Sequence, residues 1–145
     1  MGFLREDTTL INVIYGSKGS GKTKEIVELA NKTAETAKGV VVYLDRSNHR
    51  MHDLQRSIRL VDASSFGIGN QHDLVSFFKG MLAANFDIEH IFIDGLSRLF
   101  DCNIAELGEL YAGLEKLSAD FSINFTITAS GDKADLPEFV AKHIA

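Results

Sequence analysis

Cysteine is almost missing from this chain: its 145 residues include one, Cys102. An intramolecular disulfide and a cysteine-built zinc framework are both excluded, and a reducing compartment is the expectation. Proline also occurs once, at Pro137, and no Gly/Ser-rich or Pro-rich stretch interrupts the sequence. Residues 1–145 therefore read as one domain without internal repeats. A basic excess is lacking too, since 15 Lys and Arg stand against 20 Asp and Glu. That balance argues against a dedicated DNA- or RNA-binding domain. No apolar run approaches the roughly 18 residues of a membrane span. The opening MGFLREDTTL lacks the charged-then-apolar order of a signal peptide. Glu6 stands where an N-myristoylation pattern needs Ser or Thr. A cytoplasmic protein with no membrane or nucleic-acid partner is the expectation.

What is present is an ordinary globular composition, 45% hydrophobic and 24% charged. Short apolar runs lie at residues 10–15 (LINVIY), 40–44 (VVVYL), 58–61 (IRLV), 90–93 (HIFI) and 123–129 (INFTITA). Most are rich in β-branched and aromatic residues, and several are apolar almost throughout, as in a parallel sheet covered on both faces. Helical spacing fills the gaps. Residues 22–38 place Ile26, Leu29, Ala30, Thr33 and Ala37 on one face, with Gly39 as the stop. Residues 72–86 do the same with Leu74, Phe77, Phe78, Met81 and Leu82, and residues 104–119 with Leu107, Leu110, Tyr111, Leu114 and Leu117. A short helix is expected after Pro137, and a helical turn within residues 46–57. Strands alternating with helices predict an α/β three-layer sandwich around a five-stranded, mainly parallel sheet.

The most informative segment is Gly16, Ser17, Lys18, Gly19, Ser20, Gly21, Lys22, Thr23. It fits G-x-x-x-x-G-K-[ST], the P-loop or Walker A pattern, at every fixed position. Its glycines let successive backbone N–H groups curl around a phosphate, and the following helix turns its positive end to the same anion. Lys22 is placed to bridge the β- and γ-phosphates, and Thr23 to ligate Mg²⁺. Such a match arises by chance in about one chain in a few hundred. Here it also follows a strand and opens a helix. Asp94 ends the HIFI run, as a Walker B aspartate holding Mg²⁺ would. Asp45 and Asp62 end other strands and are weaker candidates for that role. Thr128 and Ser130, near the end of the last strand, are candidates for sensing the γ-phosphate; hydroxyls that merely satisfy local backbone are an equal alternative.

Taken together, IYGSKGSGKTK, VVVYLD, IEHIFIDG and INFTITASGD resemble the core of RecA-like P-loop ATPases over nearly the whole chain from Leu10 onward. More closely, they are similar to short single-domain bacterial ATP-binding proteins often labelled twitching-motility ATPases. The resemblance implies ATP with Mg²⁺, and a last strand lying between the P-loop strand and the Asp94 strand. No Asn/Thr-Lys-x-Asp guanine-reading motif is present. Pilus-retraction motors resemble the chain only around the P-loop. Type II thymidine kinases share the core but carry a zinc site and a lid, which this sequence lacks. RecA-like ATPases also resemble one another in a water-polarising glutamate, beside the Walker B aspartate or at the end of the second strand. Here those positions hold Gly95 and Asp45. Asp45 is the candidate substitute, beside Lys22 and Asp94 as catalytic residues.

A slow Mg²⁺-dependent ATPase is thus the first expectation. A nucleotide-dependent switch and a small-molecule kinase are the alternatives. The incomplete acid set suggests completion by a second copy or another protein, with Arg46, Arg50 or Arg98 as arginines donated to a neighbour's γ-phosphate. His49, His52 and Asp53 form a weak metal pattern, and a solvated loop is the plainer reading.

Overall fold

The structure is a computed structural model that describes residues 10–144; the N-terminal targeting readings lie outside those residues. The strands are β1 (Ile11–Gly16), β2 (Val40–Asp45), β3 (Arg59–Asp62), β4 (Ile88–Ile93) and β5 (Asn124–Ser130). They form one five-stranded sheet in the order β1-β5-β4-β2-β3. Every pairing is parallel. The last strand lies between the P-loop strand and the Asp94 strand, as expected. The register sets Gly16 against Ser130 and Leu44 against Ile93, so the strand ends that carry the polar motifs share one edge.

One face of the sheet is covered by α1 (Lys22–Thr36) and the other mainly by α2 (Gln71–Ala84) and α4 (Gly108–Phe121). Alternation along the strands sorts the side chains. Val42, Leu44, Ile91, Ile93, Phe125 and Ile127 join Leu74, Phe78, Leu82, Leu110, Leu114 and Leu117 in the larger core. Val41, Tyr43 and Phe92 meet Ile26 and Ala30 in a smaller one. Asn70 starts α2 by accepting the Asp73 N–H at 2.8 Å, an N-cap typically worth about 1 kcal/mol.

Four local expectations change. Leu29 is 39% exposed, and the buried stripe of α1 runs through Ile26 and Ala30 with Val27 and Ala34 beside them. Residues 46–57 contain hydrogen-bonded turns and no helix. Their anchor is Asn31 of α1, which accepts from Gln55 N at 2.8 Å and donates to the Asp53 carbonyl at 2.9 Å. The helix expected from residue 104 begins instead with a 3₁₀ turn, Ile104–Glu106, and α4 follows. A five-residue helix, α3 (Leu96–Phe100), lies between Gly95 and Asp101, both left-handed with φ of 75° and 51°. It is too short to announce itself by periodicity. The chain closes with α5 (Glu138–Ala141), after which the His143 carbonyl accepts from Val13 N at 3.0 Å on the outer edge of β1. Among the described residues, no helix is long and apolar enough to cross a membrane.

Candidate functional site

The loop between β1 and α1 is shaped by its glycines. Gly19 and Gly21 have φ of 76° and 91°, a region costly for other residues. Among the described residues no side chain caps α1, which leaves its first N–H groups available to an anion. The Lys22 ammonium lies back on the loop, donating to the Ser17 carbonyl at 2.7 Å. Burial lowers the pKa of Lys22, the nearby Asp94 charge opposes that shift, and Arg98 adds to it.

Asp94 follows the last residue of β4 and is 3% exposed. A buried carboxylate is costly unless its lone pairs are used. Thr23 Oγ1 donates to Oδ2 at 3.0 Å, Thr128 Oγ1 donates to Oδ1 at 2.6 Å, and Tyr43 OH donates to Oδ2 at 3.4 Å. Thr128 in turn accepts the Gly95 N–H at 3.0 Å. Thr23, Asp94 and Lys22 thus come together from two distant segments. Asp45 ends β2 at the same edge and is 6% exposed; its Oδ1 accepts from Arg46 N at 2.7 Å. Burial raises its pKa, the Arg46 hydrogen bond opposes that shift, and the Asp94 charge reinforces it. Both acids favour hard cations such as Mg²⁺, as does the Thr23 hydroxyl.

Ser130 stands beside Gly16 in register. With Ser17, Lys18, Gly131 and Asp132 it lines a cavity of about 600 Å³. The wall is pinned by Gly131 N donating to the Gly16 carbonyl at 3.1 Å and Tyr15 OH donating to the Asp132 carbonyl at 2.7 Å. Thr128, rather than Ser130, engages the buried acid. Asp62 caps the 3₁₀ turn Ala63–Phe66 through Ser64 N at 3.1 Å. His49 and His52 are exposed, and among the described residues no three His, Cys, Asp or Glu converge on a metal position. Tyr43 carries little signal in the sequence beyond a hydroxyl two residues before Asp45 on the same face of β2.

A parallel sheet in this order, with a phosphate-type loop joining β1 to α1, defines a RecA-like P-loop α/β fold. Compared by sequence, the chain matches no family profile and no curated relative. Among solved structures it is similar to flagellar accessory protein FlaH from Methanocaldococcus jannaschii, with a TM-score of 0.59 and 14% identity. The match covers 93% of this chain and 66% of FlaH, and at that identity it speaks for the fold.

Proposed function

We propose that this protein is a Mg²⁺-dependent ATP-binding domain and a slow ATP hydrolase. The observation that carries the reading is the meeting of Thr23, at the start of α1, with Asp94, at the end of β4, beside an uncapped P-loop helix. ATP in particular is supported by the resemblance to short bacterial ATP-binding proteins. The backbone N–H groups from Gly19 to Thr23 would cradle the β-phosphate, and Lys22 would swing from Ser17 to span the β- and γ-phosphates. Thr23 and Asp94 would hold Mg²⁺, which when bound neutralises charge on the β- and γ-oxygens. In hydrolysis, water attacks the γ-phosphorus, the bond to the β–γ bridging oxygen breaks, and the water proton passes to a base. Asp45, with its raised affinity for a proton, is the candidate.

Calorimetry tests the binding. Lys22→Ala should weaken MgATP binding tenfold or more, because a charge-assisted phosphate contact is worth about 1.5–3 kcal/mol. Equal affinity in mutant and wild type would overturn the reading. Turnover of the isolated protein should stay below about 1 s⁻¹, since a poorly placed base costs about 10²–10⁴-fold. Asp45→Ala should lower it further; faster wild-type turnover would mean that another base operates.

A nucleotide-dependent switch without useful turnover is the second reading. Gly95 favours it. The position beside Asp94 is left-handed and crowded by Arg98, so no acid can stand there without displacement. Completion by a second copy or a protein partner fits either reading.

A further inference from the structure

Arg98 is exposed, yet its guanidinium folds back onto its own chain. A Cβ on Gly95 would collide with Nη2 and would lie 2.9 Å from Cζ and 3.1 Å from Nε. The group therefore lies against Gly95, in space that a side chain at that position would take. Arg98 enters none of the ion pairs formed among the described residues. It shares a cleft of about 470 Å³ with Lys18 of the P-loop, and Asp101 and Glu106 also line that cleft. Neither acid pairs with it. In a protein of net charge −5, three cations, Lys18, Lys22 and Arg98, thus surround the mouth of one loop.

Position decides which part of a nucleotide this guanidinium would meet. In a bound nucleotide the β-phosphate would lie inside the loop and the γ-phosphate near Thr23 and Asp94, the residues that would hold Mg²⁺. Arg98 lies in the first turn of α3, and its guanidinium sits against Gly95, the residue that follows Asp94. A planar guanidinium also suits a phosphoryl group better than an ammonium does.

We propose that Arg98 acts in cis to read the terminal phosphate: seated on Gly95, its guanidinium hydrogen-bonds the γ-phosphoryl oxygens of a nucleoside triphosphate in the P-loop and makes the site prefer triphosphate to diphosphate. This rests on the nucleotide-binding reading above. It differs from an arginine given to a neighbour, which would have to point away from its own chain. Gly95 then has a positive role, because any side chain there would unseat the arginine.

The test is calorimetry with Mg²⁺ and either ADP or a non-hydrolysable ATP analogue. Arg98→Ala should weaken the analogue about tenfold or more and change ADP less than about twofold. Arg98→Lys should restore part of the loss and keeps the test open if the alanine variant folds poorly. An equal loss for both nucleotides, or none, overturns the proposal while leaving the P-loop reading intact. A wild-type protein that binds neither nucleotide overturns both. The titrations are repeated at concentrations where light scattering reports a monomer. Discrimination that appears only in an associated form would assign the arginine to a neighbour's site and overturn action in cis.

Discussion

The two faces of the sheet carry different burdens. Toward α2 and α4 the strands present Val42, Leu44, Ile91, Ile93, Phe125 and Ile127, which pack on leucines and Phe78. Toward α1 the same strands present Val41, Tyr43 and Phe92 but also Asp45, His90, Asp94, Thr126 and Thr128. Polar groups under a helix are costly unless paired, and on the α1 face they are paired. Asp94 has three donors, and Thr126 meets His90 Nε2 at 2.8 Å. On the α2/α4 face the hydroxyl of Tyr111 is buried and has no partner among the described residues. Apolar packing on one side leaves the other free to hold the groups that a ligand would use.

The largest expected effect tests the apolar side. Phe78 is fully buried, with its ring 5.8 Å from that of Phe125. Phe78→Ala should cost about 3–5 kcal/mol in denaturant unfolding. A loss under about 1 kcal/mol would break the contrast, because this face would then not carry the stability assigned to it.

Acid sharpens the contrast next. Burial pushes His90 down to about 4 from 6.5, with Glu89 opposing, and the ring stacks on Phe92 at 4.1 Å. Between those pH values the unfolded chain binds a proton that the folded chain refuses. Stability from this group is therefore complete above pH 6.5 and lost as pH falls toward 4, by up to ~3 kcal/mol. His90→Asn should flatten the profile in that window. Glu115, under α5 on the other face, acts lower. Burial pushes its pKa up, but hydrogen bonds from His143 and Lys142 outweigh that and hold it below 4.5. Its contribution is present above that value and fades as pH falls through the depressed one. Unfolding curves across the acid range separate the two; a wild-type profile flat between pH 6.5 and 4 would remove the His90 account.

Thr128 gives the smallest effect and the finest test. Thr128→Val strips a donor from Asp94 and an acceptor from the Gly95 N–H, at about 1–2 kcal/mol. Thr128→Ser keeps both bonds and should be close to neutral. If valine and serine variants unfold alike, the loss reflects packing, and the polar side would owe less to pairing than the distances suggest.

Residues adjacent in the chain were readable, and residues brought together from a distance were less so. The loop from Gly16 to Thr23 is one continuous pattern, and the strands are continuous apolar runs, so local chemistry marks both. Leu29 misled because helical spacing defines a stripe only to within a residue or two, and the width of the buried face depends on what packs there. Hydrogen-bonded turns replace the helical turn expected within residues 46–57 because Asn31, a side chain on another element, anchors that segment. Tyr43 looked like one more apolar strand residue until its hydroxyl reached Asp94.

The sequence by itself determined an α/β chain with a phosphate-type loop and an acid at the end of a buried strand, because backbone conformation and burial period are local properties. Only the tertiary structure decided that Asp94 faces Thr23, Thr128 and Tyr43, and that the Arg98 guanidinium rests on Gly95. Those meetings depend on strand order, register and the direction of side chains from separate segments. A polar group's partner is set by where the folded chain returns, and a linear pattern does not carry that distance.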